Sequence, residues 1–113
     1  MKIVFWGTPE YAVPIFHSLL ENGHEIVGVV TQPDKRRSRG NKLSYSPIKK
    51  EALDYKIPIF TPQKIKTDLQ IQNQIFELNA DIYIVVAFGQ ILPKSILDYP
   101  PFGCWNIHAS ILP

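Results

Sequence analysis

The sequence predicts an α/β fold, an open and mostly parallel sheet flanked by helices. Short apolar runs alternate with amphipathic stretches, and the first four segments read strand, turn, helix, strand. That βαβ order favours parallel strands joined by helical crossovers. Ile82-Tyr-Ile-Val-Val-Ala87 is a continuous apolar run, as expected of a strand covered on both faces. The 113 residues are 45% hydrophobic and 19% charged, which bounds a single soluble domain with a modest core.

Lys2 to Trp6 reads as the first strand, interior to the sheet and ending at Gly7. Thr8 is expected to cap the following helix, with Pro9 at its first position and Glu10 favouring its positive end. The helix should run to about Asn22, with Ala12, Ile15, Phe16, Leu19 and Leu20 as its apolar stripe and Pro14 inside its first turn or two, where a local kink is one outcome. Asn22-Gly23 closes it, and Glu25 to Thr31 is the second strand. The first turn holds no Gly-x-Gly-x-x-Gly, and Glu10 would repel a pyrophosphate. The fold is therefore Rossmann-like without a dinucleotide site, and NAD is not expected.

Gln32 to Ser46 reads as a polar loop, broken by Pro33 and Gly40. Pro47 to Tyr55 is a helix capped by Ser46. Ile57 to Phe60 is a strand pushed towards an edge by Pro58. Thr67 to Asn79 is a helix expected to bury Leu69, Ile71, Ile75, Phe76 and Leu78. Pro93 to Tyr99 is a brief helix, and Phe102 to His108 is the last strand.

Net charge is +2, but Lys35, Arg36, Arg37, Arg39 and Lys42 crowd into one stretch of the loop. Such a run is usually a solvated face; its functional reading is contact with RNA phosphates, which Arg forks match. With no aromatic among them, these charges supply affinity and little base readout. One cysteine excludes an internal disulfide and suits a reducing cytoplasm. Neither it nor the three histidines show metal-ligand spacing, so no metal is expected. No run reaches the length of a membrane span, and the N-terminus does not read as a signal peptide.

The stretch with most chemistry is the last. Asn106 and His108 are separated by one apolar residue, so on a strand they project to the same face. The C-terminal end of a strand is where an open α/β sheet places its ligand. Cys104 shares that face two residues deeper and reads as packing rather than as a nucleophile. His17 and His24 lie away from this end of the sheet.

Asn106-Ile-His-Ala-Ser-Ile-Leu-Pro113 resembles the Asn-x-His-x-Ser-Leu-Leu-Pro motif of the 10-formyltetrahydrofolate-dependent formyltransferases. Met1-Lys-Ile-Val-Phe-Trp-Gly-Thr-Pro-Glu-Tyr-Ala-Val-Pro14 is similar to the branch that acts on methionyl-tRNA. So are Thr31-Gln-Pro-Asp34, Arg39-Gly-Asn-Lys-Leu43, Ser46-Pro47 and Val86-Ala-Phe-Gly-Gln-Ile-Leu-Pro93. The motifs stand in the family's order along the whole chain. Asn41, Ala109 and Ile111 depart from the usual Lys, Gly or Pro, and Leu.

The resemblance implies formyl transfer from 10-formyltetrahydrofolate to the methionine α-amino group of initiator methionyl-tRNA. It gives Asn106 and His108 catalytic roles as oxyanion donor and proton-handling imidazole. It gives folate binding to Phe88, Gly89, Gln90, Ile91, Leu92, Ser110, Ile111, Leu112 and Pro113. It gives tRNA contact to Arg39 and Lys42, and with less support from the motif to Lys35, Arg36 and Arg37. It places beyond Pro113 an aspartate that orients the histidine. Residues 1–113 would then be the N-terminal part of the catalytic domain, without the rest of that domain or any C-terminal tRNA-binding domain, and inactive alone. No obligate protein partner is implied. The competing readings are a formyltransferase acting on a sugar nucleotide or glycinamide ribonucleotide, and a non-catalytic folate- or RNA-binding fragment.

Overall fold

The computed structural model describes residues 1–36 and 43–108. Five parallel strands form one sheet in the order β5-β2-β1-β6-β7. They are β1 (Lys2–Gly7), β2 (Glu25–Val30), β5 (Ile59–Phe60), β6 (Ile82–Val86) and β7 (Cys104–Asn106). The short β3 (Lys35–Arg36) and β4 (Leu43–Ser44) pair antiparallel in a separate ribbon. The helices are α1 (Val13–Glu21), α2 (Pro47–Asp54), α3 (Leu69–Phe76) and α4 (Lys94–Leu97).

β1 is the interior strand, and its side chains divide between two cores. Ile3 and Phe5 pack with Phe16, Val29, Ile48, Ala52, Ile84 and Val86. Val4 and Trp6 pack on the other face with Val30, Ile65, Ile75, Tyr83, Val85, Phe88 and Ile96. The period of two along β1 and β6 thus feeds both faces, and helices cover each of them. β5 lies at one edge as Pro58 predicts, shortened to two residues, with the Pro58 carbonyl accepting from Val29 N at 2.9 Å.

Several local expectations need correction. Thr8 does not cap a helix; a 3-10 turn at Glu10–Ala12 intervenes, and α1 begins only at Val13. Pro14 therefore lies in the first turn, where its missing N–H costs nothing. The helix read from Thr67 shrinks to α3, with Asp68 as its cap accepting from Ile71 N at 3.0 Å. Leu69 is 66% exposed, because it falls on the outer face at the helix start, while Gln72 is buried in its place. Gln72 is tolerated there because its amide donates to Ile65 O at 2.7 Å and Lys66 O at 3.2 Å. The ends of the Gln32–Ser46 loop form the β3–β4 ribbon, which has too few residues for any alternating pattern to announce it. The last strand is also shorter than Phe102–His108, ending at Asn106.

Among the described residues, no helix is long and apolar enough to cross a membrane.

Candidate active site

β2 and β5 build out on one side of β1, and β6 and β7 on the other. A doubly wound sheet opens a crevice at the carboxyl ends of the strands where its order reverses, here between β1 and β6. The loops that follow β1, β6 and β7 meet there around an open cleft of about 550 Å³. Tyr11 comes from the β1 side, the turn from Ala87 to Ile91 from β6, and Asn106 and His108 from β7.

Asn106 is the last residue of β7, opposite Val85, and Ile107 N donates to Val85 O at 2.8 Å. The ladder therefore holds the chain beside β6 for one residue beyond the strand. Asn106 and His108 are both exposed to the cleft, and neither side chain has a hydrogen-bond partner among the described residues.

The β6 turn is tightly specified. Ala87 is left-handed, with φ of 52°, and Gly89 has φ of 99°. The φ of Gly89 favours glycine, and a Cβ there would sit 2.6 Å from Gln32 Nε2 and displace that side chain. Phe88 is buried and packs edge-on against Trp6 with ring centroids 5.4 Å apart. Gln90 spends its carboxamide on the protein, accepting from Ile65 N at 2.7 Å and donating to Pro62 O at 2.9 Å and Gln32 Oε1 at 2.8 Å. Ile91 is 90% exposed at the cleft, whereas Leu92 turns away and packs against the second core.

Ser110, Ile111, Leu112 and Pro113 lie outside the described residues, as do Arg37, Arg39 and Lys42. Lys35 is exposed on β3, and the Arg36 backbone pairs with Leu43.

All 113 residues match the family model described as formyl transferase. The chain belongs to the formyl transferase family. It is 63% identical over its full length to the methionyl-tRNA formyltransferase of Prochlorococcus marinus (strain MIT 9211), covering 33% of that protein. It is 60% identical to the one from Synechococcus sp. (strain WH7803), again over its full length and 33% of the relative. The methionyl-tRNA formyltransferase of Clostridium botulinum (strain Alaska E43 / Type E3) is 58% identical, with 36% of it covered. The chain spans about a third of the length of these relatives.

Three cleft or cleft-supporting residues of this formyl transferase lie within the family-like motifs but carry no assigned role there. Tyr11 follows β1, and only the topology reveals that this loop meets those after β6 and β7. Thr8 and Gln32 look like a helix cap and a loop residue, yet both hold carbonyls of the β6 turn: Thr8 Oγ1 donates to Phe88 O at 2.9 Å and Gln32 Nε2 to Gly89 O at 3.1 Å. Among the described residues, no group of three or more His, Cys, Asp or Glu is placed to hold a metal ion.

Cys104 lies beside the second core, and burial pushes its thiol up to about 11. Burial penalises the thiolate, so the group stays protonated at neutral pH and is a poor nucleophile. Iodoacetamide alkylation of Cys104, followed by mass spectrometry, should rise with a midpoint near pH 11 in the native protein. In urea the midpoint should fall towards about 8.5, the free-thiol value. A native midpoint below pH 8 would contradict this assignment.

Proposed function

We propose that the protein acts as a methionyl-tRNA formyltransferase, moving a formyl group from 10-formyltetrahydrofolate to the α-amino group of methionine on initiator tRNA. The observation that carries the proposal is the convergence of Asn106, His108 and the β6 turn on one cleft. The chain's likeness to methionyl-tRNA formyltransferases favours the methionyl-tRNA acceptor over a sugar nucleotide or glycinamide ribonucleotide.

The cleft suits the donor. Its volume of about 550 Å³ falls within the usual range for small-ligand sites. Ile91 and Tyr11 offer exposed apolar and aromatic surface to a flat heterocycle, with the Phe88–Gln90 backbone beside them. The donor supplies an activated formyl carbon. As the methionine amine adds to that carbon, the formyl oxygen gains negative charge, and the Asn106 amide donates to it. A neutral His108 accepts the proton that the amine loses, and in its charged form returns a proton to the departing folate nitrogen.

The acceptor is assigned to the basic segment carried by the ribbon. Lys35, Arg36, Arg37, Arg39 and Lys42 supply phosphate contacts, and the Asp34–Lys49 ion pair at 2.9 Å anchors the ribbon's base to α2. Such a reaction belongs to the cytoplasm, where initiator tRNA is charged and used.

In the full-length protein, Asn106→Ala should lower kcat by roughly two to three orders of magnitude with a much smaller change in substrate binding, as for loss of one oxyanion donor. Steady-state kinetics in both substrates measures this; a loss confined to KM would make Asn106 a substrate-positioning group instead. Arg39→Ala should raise KM for methionyl-tRNA, lower kcat, or both, while donor binding stays nearly unchanged. Removing Lys35, Arg36 and Arg37 together should flatten the salt dependence of tRNA binding by up to about one unit of slope per lost phosphate contact. An unaltered slope would return those three to an ordinary solvated face.

A further inference from the structure

The turn that follows β6 is held in an unfavourable shape by side chains from other loops. Ala87 adopts a left-handed conformation that alanine rarely takes, and Gly89 follows two residues later with φ of 99°. Such a turn persists only where its surroundings over-determine it. Here the surroundings can be named: Thr8, from the end of β1, donates to Phe88 O, and Gln32, from the end of β2, donates to Gly89 O.

Thr8 is itself fixed from behind. Its single hydroxyl hydrogen is committed to Phe88 O, and its oxygen accepts from Gln32 N at 3.3 Å and from Thr31 Oγ1 at 3.5 Å. Thr31 is fully buried, and its hydroxyl meets Ser46 Oγ at 2.7 Å. Ser46 Oγ also accepts from Lys49 N at 3.0 Å, as the cap of α2. With one hydrogen per hydroxyl, the assignment that uses all three runs in one direction, from Ser46 to Thr31 to Thr8 to the Phe88 carbonyl. The chain begins at the cap of a helix and ends on the backbone of the cleft wall.

We propose that Thr8 is a positioning residue for the donor-binding wall of the cleft, acting through the Phe88 carbonyl, with Thr31 fixing the direction in which its hydroxyl points. The proposal rests on the reading of this cleft as the formyl-donor site. Thr8 does not line the cleft, so its effect on the donor must pass through the shape of the Ala87–Gly89 turn. Without the Thr8 hydroxyl, the Phe88 carbonyl loses its partner, and the turn is expected to relax towards a negative φ at Ala87.

The test uses the full-length protein with Thr8→Val, which keeps the branched shape and removes the hydroxyl, and Thr8→Ser, which restores it. Thr8→Val should raise KM for 10-formyltetrahydrofolate about tenfold, the effect of roughly one lost hydrogen bond to a partly buried acceptor. KM for methionyl-tRNA should stay within about twofold, and Thr8→Ser should recover most of the loss; a merely structural role would move both KM values or neither. A crystal structure of Thr8→Val should show Ala87 outside the left-handed region. If that variant fails to fold, Thr31→Val should shift donor KM in the same direction by a smaller factor, since it leaves the Thr8 hydroxyl present but less directed. An unchanged Ala87–Gly89 turn in Thr8→Val overturns the proposal, as does an unchanged donor KM in an active enzyme. Wild-type protein without formyl transfer activity would defeat the donor-site reading alone, and the crystallographic comparison would still decide whether Thr8 sets the turn.

Discussion

β6 has to cross from the β5 side of the sheet to the free side of β1, and the geometry of the site follows from that crossing. Once β1 has β2 on one flank and β6 on the other, the loops leaving β1 and β6 part company at the carboxyl end, and a crevice opens between them. The approach of the two strands there is close. A Cβ on Gly7 would lie 3.0 Å from Val86 O on β6 and 2.8 Å from the Phe5 ring of its own strand, so a side chain at this point would force that carbonyl and the ring to shift. β7 then pairs with β6 and delivers Asn106 and His108 to the same opening.

Apolar packing and polar contacts divide the work. Ile3, Val4, Phe5 and Trp6 are all at most 2% exposed, and burying each such side chain contributes about 1.5–3 kcal/mol. A typical hydrogen bond contributes about 1 kcal/mol net. Stability therefore comes mainly from the two cores, while the contacts of Thr8, Gln32 and Gln90 choose the shape of one turn. Holding Ala87 left-handed costs about 1–2 kcal/mol, which two or three such bonds offset. The second core tolerates a similar cost at Trp6. Its indole N–H is buried without a partner among the described residues, yet the ring fills the space against Tyr83 and Phe88.

The alternation of strands and helices was legible because periodicity reports burial directly: Ile82–Ala87 reads as doubly covered, and the side chains of β6 divide between both cores. Pro58 likewise marked an edge strand by removing a donor. Asn106 and His108 were paired on the premise of a strand reaching His108; β7 ends at Asn106, and it is the cleft, not a shared strand face, that both residues line. What remained hidden was set by partners distant in sequence. Thr8 carries the chemistry of a helix cap, and only the proximity of Phe88, eighty residues later, makes it a bracket for a turn. Leu69 fitted an apolar stripe but landed on the outer face once Asp68 fixed where the helix begins. Tyr11 stands in the N-terminal motif without an assigned role, and its place at the cleft follows from strand order.

A crystal structure of the full-length protein with 10-formyltetrahydrofolate bound tests the central claim most directly. The account predicts the heterocycle against Ile91 and the β6 turn, with the formyl oxygen about 3 Å from Asn106 Nδ2, within hydrogen-bond distance. Folate seated elsewhere, for instance in the open groove beside Asn73, Phe76 and Tyr99, with the Asn106 amide far from the formyl group, would contradict it.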